Sequence, residues 1–215
     1  MAGAASRRAV LGCLLGMLAA APARADPLPW QSMPESDPAA PIARFNAALL
    51  AVMREGRSTP FTQRYAELAP VVDRTFDLAA ILRTSVGFGW AEIPAPLRAR
   101  LLAVFRQFTI ASYVANFDTY TGEQLRVLPN PRPVGPEWVV ATEIVPPNGQ
   151  STRIDYVMHE VAGEWRAVDV LLDGTISRVA VQRSDFSSLI ASRGGTGLIE
   201  SLQQKVGQLS GGTLL

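Results

Sequence analysis

His159 is the only histidine in the 215-residue chain, so a histidine-based metal site or a serine triad would rest on that one side chain. On a strand, Arg153, Asp155 and His159 share one face, because alternate side chains point the same way. Asp169 and Asp173 flank the end of the next strand, and a carboxylate pair with Asp155 would suit acid–base work. Asp173 is explained by the turn it forms with Gly174. Asp169 needs a partner if it points inward, and an ion pair with an arginine is the expected one. The chain carries no G-x-S-x-G, H-E-x-x-H, G-x-x-x-x-G-K or dinucleotide fingerprint. Hydrolase, nucleotide-binding and metal readings therefore have little to stand on, and no cofactor is expected.

The first 25 residues have the three-part layout of a secretory signal: Arg7 and Arg8, an apolar run from Ala9 to Ala21, then Ala23-Arg24-Ala25 as the cleavage site. The apolar run is too short to span a bilayer, which takes about 20 residues. The Arg pair fits the twin-arginine route and the remaining features fit general secretion, so a periplasmic location is expected by either. Cys13 lies too close to Arg8 for a lipoprotein attachment site. As the only cysteine it leaves with the signal, and no disulfide is then possible even in an oxidising compartment. Without Arg7, Arg8 and Arg24, seventeen basic side chains face nineteen acidic ones, a formal charge of minus two. That balance does not favour nucleic acid.

The elements that must position these residues read as helices first and strands second. A Pro-rich lead, residues 26–41, reads as an extended linker. The domain spans residues 42–209, and residues 210–215 form a flexible Gly-rich tail. Ile42, Phe45, Leu49, Val52 and Met53 recur at helical spacing until Gly56. Further helices are expected over 61–69, over 77–87 with Thr75 or Asp77 as N-cap, and from Pro94 or Pro96 to Gly122. The period then changes, predicting strands over 125–128, 138–145, 153–160, 165–172 and 175–181. Asn148-Gly149, Ala162-Gly163 and Asp173-Gly174 are tight-turn signals, so the strands should pair in order as an antiparallel meander. Helices near 185–192 and 197–207 complete a single α+β domain.

Several runs taken together resemble the MlaC family, also called toluene-tolerance auxiliary proteins. They are Tyr120-Thr121-Gly122-Glu123, Asp155 to Met158, Gly163 to Val170, Gly174 to Ser177 and Arg183-Ser184-Asp185-Phe186. The resemblance runs from about Phe45 to Leu209, and the segments 76–87 and 169–186 look most like HpnM, its hopanoid-associated branch. It implies helices packed on a strongly curved antiparallel sheet, nuclear-transport-factor-like, around an apolar pocket. It further implies a periplasmic carrier of phospholipid or hopanoid. The implied partners are an inner-membrane ABC-type or other lipid exporter and an outer-membrane lipid-transfer complex. The chain departs from the family in its single lysine, Lys205, and in Val181-Gln182 where an aromatic often precedes the arginine.

A pocket needs apolar residues beyond those that close the core. Among the helices the candidates are Phe76, Ile81, Val86, Trp90, Leu101, Phe105, Phe108, Tyr113 and Phe117. Ile154, Tyr156, Met158, Val168 and Val170 are the strand candidates, and only a subset of the whole is expected to touch lipid. Two rivals follow from the same residues. An enzyme would require Asp155 or Asp169 inside the pocket with a raised pKa. An adaptor docking on a membrane lipid-transport or hopanoid-biosynthesis complex would use Phe88, Trp90 or the Pro-rich lead as an exposed anchor and would have a filled core.

Overall fold

The computed structural model describes residues 33–214. The signal segment, Cys13 and the first part of the Pro-rich lead lie outside them. From Met33 on, the lead is tied to the sheet: the Trp165 indole N–H donates to the Ser36 carbonyl at 3.0 Å, and Asp37 accepts the Ala39 N–H at 2.9 Å.

Helix α1 is Ala40–Glu55, with Pro41 in its first turn and Gly56 at its end. Ile42, Phe45, Leu49 and Val52 form its buried stripe. Helix α2, Phe61–Thr75, runs past Ala69, the expected end, and through Pro70. A proline forfeits one backbone bond and crowds the preceding turn. Burial of Leu68, Ala69, Val72 and Thr75 on one stripe holds the helix together across it. Helix α3, Leu78–Val86, is capped by Asp77, whose Oδ1 accepts the Ala80 N–H at 2.8 Å. A 3₁₀ turn over Gly87–Trp90 leads to α4, Ala95–Asn116, which ends six residues before Gly122.

The sheet holds β1 (Gln124–Val127), β2 (Arg132–Val134), β3 (Glu137–Val145), β4 (Thr152–Val161), β5 (Glu164–Leu172) and β6 (Ile176–Ser177). Its order is β1-β3-β4-β5-β6, with β2 also on β3; every strand pair is antiparallel and the sheet is open. The expected strands thus pair in order as an antiparallel meander from β1 through β3, β4 and β5 to β6, and the unexpected β2 is an addition beside β1 on β3. Ala162-Gly163 and Asp173-Gly174 both hold positive φ at each residue, the geometry of a tight hairpin turn. Phe76 adds a parallel bridge to Ala167, and the Asp77 N–H donates to the Ala167 carbonyl at 3.0 Å. Ala167 thus joins the sheet edge to the start of α3.

The strand expected over 175–181 is cut short. Ser177 caps a helix that begins at Arg178: its Oγ accepts the Ala180 N–H at 2.9 Å and donates to Asp169, whose Oδ1 accepts the Val179 N–H at 3.1 Å. Capping outweighs the β preference of Val179 and Val181. This helix, α5, is Arg178–Ser210 and breaks at Gly194, where φ is 65°. Before the break Phe186 meets Phe105 of α4; after it Gly195 lies against Leu97 and Lys205 against Phe108. The two halves therefore run in opposite directions along α4. The core between α3, α4 and α5 is filled by Leu82, Leu101, Val104, Leu198, Ile199 and Leu202.

A cavity between helices and sheet

Between the sheet and the helices lies an open cavity of about 290 Å³. Leu49 of α1, Phe76, and Leu78 and Ile81 of α3 form one wall. Phe105, Phe108 and Tyr113 of α4, with Phe117 just beyond it, form a second. The sheet contributes Leu125, Ile144, Ile154, Tyr156, Val170 and Leu172. The fully buried ring of Phe45 backs this lining, edge-on to Phe76 at 5.1 Å and to Tyr113 at 4.9 Å. Such edge-to-face contacts fix ring orientations, so the aromatic wall is preformed.

Nine sequence candidates meet in this wall: Phe76, Ile81, Phe105, Phe108, Tyr113, Phe117, Ile154, Tyr156 and Val170. Five lie elsewhere. Val86, Leu101 and Met158 are buried in the closed core. Trp90 sits half-buried on the 3₁₀ turn with the Arg98 guanidinium 5.5 Å over its ring. Val168 is skipped where the β4–β5 register shifts, Val157 facing Asp169 and Met158 facing Ala167. That bulge turns Val168 away from the position alternation would give it.

The polar part of the wall was not anticipated. Thr109, Ser112 and Asn116 occupy the α4 face that also carries Phe105 and Phe108, and Asn46 joins them from α1. Helical spacing from Phe105 would have found the first three. Ser112 and Thr109 donate to the Phe108 and Phe105 carbonyls, at 2.7 and 2.9 Å. Asn46 is 5% exposed, and its Nδ2 has no hydrogen-bond partner among the described residues. Glu143, Arg178 and Gln182 also line the cavity.

Burial pushes the Tyr113 and Tyr156 phenols well above their ordinary value, with Arg178 pulling modestly the other way on Tyr113. Both hydroxyls stay neutral at physiological pH. The two aspartates singled out in the sequence have partners of their own. Asp155, 1% exposed, takes a two-pronged ion pair from Arg153 at 2.8 and 3.0 Å and is not part of the cavity wall. Asp169 reaches the wall, but its oxygens are held by Ser177 and the Val179 N–H. The arginine partner expected for Asp169 thus belongs to Asp155, and Asp169 instead fixes the start of α5. His159 Nε2 lies 3.1 Å from Asp77 Oδ2, outside the cavity wall and without hydrogen-bond geometry. No cluster of three metal-ligating side chains occurs among the described residues.

Comparison with solved structures places this architecture beside the phospholipid-binding protein from Ralstonia solanacearum, whose structure was determined in complex with a phospholipid. The two chains are 17% identical, and the match has a TM-score of 0.69 over 81% of this chain and 99% of that one. Among curated proteins, no sequence match was found. The family model described as MlaC protein matches residues 44–204, most of the described chain, and the protein belongs to the MlaC family.

Proposed function

We propose that the mature protein is a periplasmic lipid carrier without a chemical step, exported by the segment ending at Ala25. It would move a phospholipid between an inner-membrane exporter of ABC or another type and an outer-membrane transfer complex. The observation that carries this reading is the open cavity with its preformed aromatic wall. A filled interior would have favoured a docking adaptor. Family membership and the phospholipid bound by the Ralstonia relative support the same cargo class.

Energetics make such a carrier necessary. Each methylene taken from an apolar site into water costs about 0.8 kcal/mol, so two acyl chains with about 30 methylenes cost on the order of 20 kcal/mol. A cavity about as apolar as the bilayer offsets most of that, and transfer becomes nearly neutral. The volume of about 290 Å³ is at the small end for ligand sites, which run from about 300 to 1,000 Å³. The cargo is then only partly enclosed, with its headgroup near the exposed Asn116 and Arg178. The resemblance to the hopanoid-associated branch makes a hopanoid the alternative cargo.

Mass spectrometry of the mature protein, gently purified from periplasm, tests the proposal. A stoichiometric phospholipid is the expected result, and a stoichiometric hopanoid would assign the branch-specific cargo. Protein that is reproducibly empty and takes up neither lipid overturns the carrier reading.

A further inference from the structure

The 3₁₀ turn between α3 and α4 exposes what a folded chain normally covers. Phe88 is 94% exposed, more than any other large apolar side chain among the described residues. Its neighbours explain how it is held out. Gly87 has φ 70°, and a Cβ there would lie 3.1 Å from the Arg183 guanidinium; one at Gly89 would lie 3.1 Å from Ile190. Two glycines thus seat the turn tightly against α5 while the phenyl between them stands in solvent. The Arg183 guanidinium lies 5.5 Å from the Phe88 ring centre, and Arg98 lies at the same distance from Trp90. Neither arginine has a carboxylate within ion-pair distance among the described residues.

This corner adjoins the cavity. Ser85 at the end of α3 donates to Gln182 at 3.2 Å, and Gln182, next in sequence to Arg183, belongs to the cavity wall. We propose that the corner docks the protein on an anionic bilayer surface, Phe88 entering the acyl boundary while Arg183 and Arg98 meet lipid phosphates. Aromatic rings beside arginines suit the water–lipid boundary, where the ring is buried and the charge stays at the headgroups. A lipid surface fits better than a protein groove. Protein hot spots are ringed by contacts that exclude water, whereas Phe88 lies between two glycines and is exposed nearly all round. A fluid bilayer can close around such a lone ring without a matching shape. With a net charge of minus two expected for the mature chain, the attraction is local, so it orients the protein with its cavity rim toward the membrane.

The docking surface stands apart from the carrier reading, and one experiment separates them. The mature protein is floated with vesicles of phosphatidylethanolamine and phosphatidylglycerol, and with vesicles of phosphatidylcholine alone. Wild type should bind the anionic vesicles, less so as salt is raised. Phe88→Ala should weaken binding about tenfold, Phe88→Trp should restore it, and Arg183→Gln should weaken it and flatten the salt dependence. Circular dichroism checks that each variant is folded. Lipid content by mass spectrometry should be unchanged in Phe88→Ala; an empty wild type that still binds vesicles would fail the carrier reading alone. Equal vesicle binding by wild type and Phe88→Ala overturns the docking proposal. So does a wild type that ignores vesicles but binds a purified membrane protein through Phe88, which would assign the corner to a protein partner.

Discussion

Two sides of α4 meet different surroundings. On one, Leu101 and Val104 share a core with Leu198, Ile199 and Leu202 of α5, all buried. About 10 Å further along the helix, Phe108 and Tyr113 border open space across from Ile154 and Tyr156. The two sides are similarly apolar and differ in what they face. A helix closes against a helix because the ridges of one enter the grooves of the other. A helix laid across a sheet has no matching grooves to enter, and beside the register shift at Val168 part of the sheet face is left unfilled. The cavity therefore follows from the shapes of the packed elements, and aromatic side chains line it without filling it.

The largest expected effect belongs to the closed side. Leu101→Ala should cost about 3 kcal/mol in urea unfolding, because the hole it leaves cannot collapse among packed helices, while bound lipid per folded molecule stays the same. Loss of lipid at unchanged stability would show that Leu101 belongs to the cavity after all.

An intermediate effect is expected in alkali. Tyr156 is 5% exposed and its pKa is raised by burial, so the folded state keeps its proton after the unfolded chain has released it. Stability is then full below the ordinary value of about 10 and falls above it, by about 1.4 kcal/mol per pH unit, until the folded group itself ionises. Phenolate absorbance followed alongside circular dichroism should show the buried tyrosines ionising only as the fold is lost, and Tyr156→Phe should lessen the decline, Tyr113 keeping its own share.

The smallest change in stability should come from filling the open side. Ile154→Trp is expected to shift unfolding by no more than about 1 kcal/mol, since it grows into empty volume, yet to lower bound lipid markedly by mass spectrometry. A large loss of stability would show the space to be narrower than the structure has it.

The closed and open sides were not separable by sequence. Leu101 and Phe108 lie two helical turns apart on one face with the same apolar character, and only what packs against each decides which borders the cavity. Alternation along β5 misplaces Val168 because a bulge leaves no compositional mark. Val179 and Val181 read as strand because the cap that overrules them draws on Asp169, eight residues before Ser177. By contrast, the start of α3 was legible in Asp77, and the hairpin turns in Ala162-Gly163 and Asp173-Gly174, where the signal is local. Asn46 and Asn116 read as solvent-facing in the sequence, because polar residues on an amphipathic helix normally lie on its wet side.

The way the open sheet ends bears on how the protein avoids pairing with other chains. Its outer margin on one side is split between the four residues of β1 and the three of β2, the latter carrying Arg132 and Pro133. On the other side β6 covers only Leu171 and Leu172 of β5 before the chain turns helical, and the Phe76 bridge interrupts the rest of that edge at Ala167. A long bare margin would invite another chain to add a strand and start a polymer. Pro133 on one margin and the Phe76 bridge to Ala167 on the other break these edges into short runs, which are poor templates for an added strand.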